Sequence, residues 1–244
     1  MANNNNNKAK ILMLDIETKP ATAYVWRAFD ENISPEQIVD NGGTICFGAQ
    51  WYGQKKVDLV SEWEHGHEEM IRRAHEYMTQ ADAIVTYNGD RFDLPKLQGE
   101  FLLYDLAPPP PPTSIDLIKT VRKFGFMMNR LAYIGPLLQI GSKIKHEGFG
   151  LWKSVMDGDA KAQKRMERYC KQDVRMLTEL YDAVKPYIKD HPHLGVEGAP
   201  GGCGACGSHN IQSRGCRRTK AYRIQRLQCQ NCGAWQTGKR EKIK

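Results

Sequence analysis

Residues 9–17, AKILMLDIE, are apolar on both faces of an extended chain until two acids appear. This is the pattern of a strand buried in the middle of a sheet, with its end emerging at the edge. Residues 43–52 and 55–61, separated by Gly53-Gln54, predict an antiparallel hairpin that widens the sheet. A helical period covers 66–80, a short apolar strand 83–87, and Asn88-Gly89 a turn. A helix follows over 93–105, with Asp93 as its N-cap and Pro95 tolerated in the first turn. Five successive prolines at 108–112 supply no amide donors and predict a rigid polyproline connector leading into a strand at 114–117. Helical segments near 116–124, 129–140 and 159–187 are divided by glycine-containing breaks. The order strand, hairpin, helix, strand, helix, strand, helices predicts an α/β three-layer domain around a mixed sheet.

A chain of 244 residues suffices for one substantial core and a small appendage. The predicted boundaries are a disordered polar leader at 1–8, a main domain at 9–190, a Gly- and Pro-rich linker at 191–202, a small module at 203–236 and a basic tail at 237–244. With 41% hydrophobic and 26% charged residues, and no apolar run near ~18 residues, a membrane span and wholesale disorder are both excluded. The leader lacks the apolar stretch of a secretory signal, so the expected setting is cytoplasmic and reducing. Net charge is +7, but residues 203–244 carry ten Lys and Arg against one acid, which leaves the body slightly negative. The polyanion-seeking part is the C-terminal end.

Three acidic pieces carry candidate chemistry. Asp15 and Glu17, two apart on the first strand, leave the same face at its carboxyl end, where α/β folds place ligands. Two such carboxylates repel unless a cation neutralises them, and oxygen-only ligands favour Mg²⁺ or Mn²⁺. The second piece is Asn88-Gly89-Asp90-Arg91-Phe92-Asp93-Leu94-Pro95, where a strand gives way to a helix and aims an acid into the crevice; Asp93 is the candidate and Asp90 its rival. The third lies in a helix with the apolar stripe Cys170, Val174, Leu177, Tyr181 and Val184. There Asp173 faces the core, a costly place for an unpaired acid, and Tyr169 sits one turn earlier.

Taken together, Asp15-Ile16-Glu17-Thr18, Tyr87-Asn88 with Phe92-Asp93-Leu94-Pro95, and Tyr169-Cys170-x-x-Asp173 resemble, in order, the three motifs of the DEDD exonuclease superfamily. The closest match is its tyrosine-bearing branch. The phrases around Asp93 and Tyr169, and Ser114–Lys143 with its Asp116 and Asn129-Arg130-Leu131, resemble the proofreading exonuclease domain of family B DNA polymerases and its stand-alone relatives. The resemblance spans roughly residues 9–187. It implies a ribonuclease H-like fold with a mixed five-stranded sheet, two divalent ions, and hydrolysis of nucleotides from a 3′ end, with Asn88 touching the strand. It further implies that Asp15 bridges both ions, Glu17 and Asp173 hold the water-activating one, Asp93 supports the other through waters, and Tyr169 orients the attacking water.

Cys203-x-x-Cys206 and Cys229-x-x-Cys232 lie 22 residues apart, each pair followed by glycine. Paired thiolates at this spacing point to one tetrahedral, structural Zn²⁺, and the module resembles a zinc ribbon; Cys216 and His209 are the alternative ligands, bystanders if the paired cysteines complete the site. Arg214, Arg217, Arg218, Lys220, Arg223 and Arg226 accompany Tyr222 and Trp235, a mixture suited to gripping phosphates and stacking bases. His65-x-His67 and His191-x-His193 have no neighbouring partner and are assigned to loops. The expected partner is nucleic acid, a single-stranded 3′ end first, and no membrane. Two alternatives to a 3′-5′ exonuclease are a structure-specific endonuclease on the same fold and a non-catalytic nucleic-acid adaptor.

Overall fold

The computed structural model describes residues 9–144, 147–188, 191–192 and 201–243. The leader at 1–8, most of the linker and His193 lie outside the described residues.

In chain order, β1 (Ile11–Lys19) is followed by two short strands, β2 (Thr22–Ala23) and β3 (Ile38–Asp40), then by β4 (Gly43–Trp51) and β5 (Asp58–Ser61). Next come α1 (Glu62–His65), α2 (His67–Gln80), β6 (Ala83–Thr86), α3 (Asp93–Leu103), β7 (Thr113–Asp116) and α4 (Leu117–Val121). Helices α5 (Leu131–Leu137), α6 (Phe149–Met156) and α7 (Ala160–Val184) complete the body. The main sheet has the order β5-β4-β1-β6-β7; β4 runs antiparallel to β1 and β5, whereas β6 is parallel to β1 and β7. This is the expected mixed five-stranded, ribonuclease H-like sheet.

The two-residue period of β1 divides the core. Ile11 and Met13 pack with Val174, Leu177 and Tyr181 of α7 on one face. Leu12, Leu14 and Ile16 pack with Met70 and Ile71 of α2 and Leu97 and Phe101 of α3 on the other. Helix α7 is long because nothing in its sequence interrupts it and because Asp159 caps it, accepting the N–H groups of Lys161 and Ala162. Its apolar stripe recurs every three or four residues and is buried along its length.

Three details depart from the sequence pattern. Residues 20–42, which carry no strong period, form an arm on the paired strands β2 and β3. His65 and His67 lie in α1 and α2, and His67 is clamped between Glu62 at 3.1 Å and Glu100 at 2.8 Å. The third concerns the C-terminal end, where β8 (Ile211–Arg218), β9 (Tyr222–Cys229) and β10 (Trp235–Lys242) form a separate sheet ordered β10-β9-β8. Residues 237–242, expected as a tail, instead belong to β10 and pair with β9, the register shifting between Thr237 and Arg240. Among the described residues no helix is long and apolar enough to cross a membrane.

Gly48 of β4 sits opposite Asp15 in the β1–β4 register. A Cβ there would lie 2.7 Å from Val174 Cγ2 and 3.1 Å from Cys170 Sγ, so the absent side chain is what lets α7 settle onto the sheet at the level of Asp15. Gly48→Ala is expected to destabilise the body by about 1–3 kcal/mol through overpacking, read as a lowered urea midpoint with an unchanged m-value.

Candidate functional site

Strand parity delivers the first two acids. Asp15 and Glu17 share the face of Ile11 and Met13, so the strand that buries its apolar start under α7 turns both carboxylates toward the same helix. Asp173, 2% exposed, comes from the buried side of α7 to meet them. One carboxylate oxygen from each of Asp15, Glu17 and Asp173 lies within 4.8 Å of the others.

Asp93 approaches from α3. It is the first residue of that helix, not its N-cap, a position taken by Phe92. Its Oδ1 accepts the N–H of Ile16 at 3.1 Å, tying the helix start to β1 between the two acids. A bond to the strand satisfies the buried carboxylate where a cap would have left it facing its own helix. Asp93 lies outside the group of three that shares 4.8 Å, yet its charge raises the pKa of Asp15. Asp90 is engaged elsewhere, by Ser114 Oγ and Lys119 Nζ. Asp116 is a scaffold group: its Oδ1 accepts the N–H of Asn88 at 2.7 Å and of Ile118 at 3.2 Å, holding Asn88 at φ +70°.

Sequence reasoning missed Lys143. Its ammonium forms an ion pair with Asp173, donates to the Tyr169 hydroxyl at 3.2 Å, and lies 5.3 Å from the centre of the Tyr169 ring. Nothing in the surrounding Gly-Ser-Lys-Ile sets this lysine apart from the others; the one available signal was the need of buried acids for a counter-charge. Tyr169 is also packed edge-on against Trp152. Beside the acids opens a cleft lined by Asp15, Asn88, Arg122, Asn129, Arg130 and Lys143, and Arg122 too had no signal in its local sequence.

The site is electrostatically unbalanced. Burial, then the charges of Asp93, Glu17 and Asp173, push the Asp15 carboxyl well above its usual range, against a smaller pull from Lys143. Burial and Asp173 push Glu17 up to about 8, and burial pushes Asp93 up to about 6 in spite of the Ile16 N–H. Asp15 Oδ2 is buried with no hydrogen-bond partner among the described residues. An orphaned Asp15 oxygen amid further buried carboxylates is the donor set of a hard, oxygen-ligated divalent cation.

The second cluster is built from sulfur. The thiols of Cys203, Cys206, Cys229 and Cys232 lie within 4.8 Å of one another, with Cys203–Cys232 at 3.7 Å and Cys206–Cys229 at 3.6 Å. Tetrahedral zinc with Zn–S near 2.3 Å requires sulfurs roughly 3.8 Å apart, so the four fit a zinc ribbon. Both knuckles close alike: Gly207 N–H bonds Cys203 carbonyl at 2.7 Å and Gly233 N–H bonds Cys229 carbonyl at 3.0 Å, each glycine in the left-handed region that spares it a Cβ clash. Burial pushes the Cys229 thiol up, but the N–H groups of Cys232 and Asn231 and the neighbouring thiols outweigh it and bring it down to about 7. Cys216 stands outside the cluster, on β8.

The basic residues of this module do not share one face. Arg217, Arg226 and Trp235 line a groove with Lys185 and Pro186 of the body, with the Arg226 guanidinium 5.5 Å from the Trp235 ring. Arg223 lines a different hollow with Lys239, and Arg240 covers Tyr222 at 3.8 Å. Arg214 is engaged with Gln228 at 3.1 Å, and Arg218 and Lys220 are exposed beside the β8–β9 turn. Strand alternation, together with the irregular register between Ser213 and Cys216, separates what the linear list grouped.

Two outcomes follow from these clusters. Because the folded carboxyls of Glu17 and Asp93 hold protons more tightly than in the unfolded chain, their contribution to the stability of the metal-free protein is expected to fall as pH rises, between about 4 and 6 for Asp93 and between about 4.5 and 8 for Glu17, at up to about 1.4 kcal/mol per pH unit for each. Mg²⁺ or Mn²⁺ at a hundredfold its Kd should restore about 2.7 kcal/mol at pH 8, and Asp15→Asn should remove that restoration, as thermal melts across pH would show. For the ribbon, mercurial release into a zinc indicator should yield one equivalent per chain, and Cys206→Ser should lower that yield and expose 201–243 to protease while the body melts as before.

Comparisons with known proteins agree with this architecture. Curated protein sequences give no match. Among solved structures, the family B DNA polymerase from the hyperthermophilic archaeon Pyrobaculum calidifontis superposes with a TM-score of 0.54 at 15% identity, over 73% of this chain and 25% of that one. The likeness is one of fold, and this chain spans about a quarter of the polymerase's length. A family model for the RNase_H superfamily matches residues 32–185, from the arm before β4 to the end of α7. With more than half of its residues in that match and the sheet order and helix layers described above, the chain belongs to the RNase_H superfamily.

Proposed function

We propose that this nuclease-fold protein is a metal-dependent 3′-5′ exonuclease that hydrolyses phosphodiester bonds, with its zinc ribbon holding the nucleic-acid strand. The observation that carries the reading is the convergence of Asp15, Glu17 and Asp173 within 4.8 Å, beside Tyr169 on the same helix as Asp173. Asp15, Glu17 and Asp173 would hold one divalent ion, and Asp15 with Asp93 a second. Bound there, such ions supply charge neutralisation for attacking and leaving oxygens and a water acidic enough to attack at neutral pH.

The chain's own groups do the positioning. Burial and the charge of Asp173 push the Tyr169 phenol far above neutrality, so it stays protonated and orients water without abstracting a proton. Lys143, paired with Asp173, also donates to the phenol oxygen and so fixes the hydroxyl beside that carboxylate. Asn88, Arg122 and Arg130 beside Asp15 offer an amide and two guanidinium groups, suited to the phosphate and terminal nucleotide of an entering strand. On the ribbon, the Arg217, Arg226 and Trp235 groove has the combination of cations and a stacking ring that single strands favour.

The test is a 5′-labelled panel of single- and double-stranded DNA and RNA with Mg²⁺ or Mn²⁺. A ladder shortening from the 3′ terminus is expected, slowed by rising salt and by deletion at residue 201. Asp15→Asn and Asp173→Asn should lower the rate at least about a thousandfold and Tyr169→Phe only roughly tenfold. Cleavage of circular or 3′-blocked strands would instead establish an endonuclease, and metal-independent binding without any cleavage would establish an adaptor.

A further inference from the structure

The arm between β1 and β4 takes no part in either cluster, and it is packed inside out. The Glu31 carboxylate accepts the N–H groups of Trp26 and Arg27, each at 2.9 Å, and the side-chain amide of Gln37 at 2.9 Å. Gln37 also donates to the Tyr24 carbonyl at 2.8 Å, while Tyr24 N–H bonds the Gln37 carbonyl at 2.9 Å. Polar groups thus fill the inside of the loop and its rings face water: Trp26 is 92% exposed, Phe29 82% and Tyr24 76%. Rings fastened outward by a hydrogen-bonded backbone cannot fold into a core, and three exposed rings within six residues of one loop mark a recognition surface.

Its location and its charge narrow the partner. The arm departs from β1 at Lys19, two residues beyond Glu17, and rejoins the sheet at Gly43, with Cys46 opposite Glu17 and a Lys19–Asp40 ion pair of 2.9 Å closing its base. It therefore rises from the same end of the sheet as the carboxylates. Among residues 20–42 Arg27 is the single cation against four acids, of which Glu31 is spent on the loop's own amides and Asp40 on Lys19 and the Gly42 N–H, leaving Asp30 and Glu36 exposed. Such a surface has little to offer phosphates. Its planar rings suit the faces of unpaired bases, which stack on aromatic side chains irrespective of sequence.

We infer that the arm is a base-stacking platform: Trp26, Phe29 and Tyr24 hold the unpaired bases of the strand whose end lies at the carboxylates. The inference rests on the nuclease reading, and three measurements on the full chain separate the two. One is KM and kcat on a single-stranded 5′-labelled oligothymidylate with Mn²⁺. Another is hydrolysis of the p-nitrophenyl ester of thymidine 5′-phosphate, a substrate too small to reach the arm. The last is equilibrium binding of the same oligonucleotide with Ca²⁺ by fluorescence anisotropy. Trp26→Ala and Trp26→Ala with Phe29→Ala alter exposed positions, and melting curves check that both variants fold.

Loss of the indole is expected to raise the oligonucleotide KM and Kd roughly ten- to a hundredfold, with kcat and small-ester hydrolysis within about twofold of wild type and Trp26→Phe recovering most of the loss. Unchanged KM and Kd in the double variant would overturn the platform. So would a wild-type dimer in sedimentation that Trp26→Ala makes monomeric without altered oligonucleotide binding, since the patch would then be a protein interface. If wild type cleaves neither substrate, the nuclease reading fails, and the oligonucleotide Kd alone decides the platform: weakened binding supports it and unchanged binding overturns it.

Discussion

Mutual repulsion among buried carboxylates is the constraint around which the body is organised. Asp15, Glu17 and Asp173 are brought together by elements whose apolar faces leave them no other place to go: β1 commits its odd-numbered residues to α7, and α7 commits its stripe to β1. Hydrophobic burial along a 25-residue helix and a nine-residue strand outweighs the repulsion at their meeting point. Lys143 relieves part of it by lying against Asp173, yet the carboxyls of Asp15 and Glu17 are still pushed well above their usual range. Activity of this kind is paired with a local loss of stability, as stability and function commonly trade against each other at such sites.

Much of this was legible in the sequence because strands and helices are periodic. The spacing of Asp15 and Glu17 fixes a shared face, and the position of Asp173 beside Cys170 and Leu177 fixes its inward direction, without any knowledge of the sheet order. The choice between Asp93 and Asp90 was harder, since the two lie within one turn of the same helix start; what distinguishes them is a tertiary bond, the Ile16 N–H to Asp93, that no local pattern encodes. Lys143 and Arg122 were illegible for a related reason. Long, flexible side chains in segments of weak periodicity reach a site from a distance, and only the assembled cleft shows where they end.

The C-terminal module obeys a different logic. Four cysteines at fixed spacing state their geometry in the sequence, because the chemistry of one ion dictates both the ligands and the two knuckle turns. Its charged residues carry no such instruction. Strand alternation and the irregular register after Ser213 distribute Arg217, Arg223 and Arg226 over separate hollows, so composition identified a basic module without identifying its working face. The arm at 20–42 stands at the opposite extreme, unremarkable as a pattern and defined by a single carboxylate, Glu31, that organises the loop around itself.

At Gly48, helix α7 rests on bare main chain. A side chain at such a contact could switch rotamer and absorb a displacement; peptide atoms in a ladder have no such freedom. The depth to which the helix seats is therefore set by a missing Cβ: a larger residue at 48 would lift Val174 and Cys170, and with them Asp173, the residue lying between them in the chain, away from its two partners on β1.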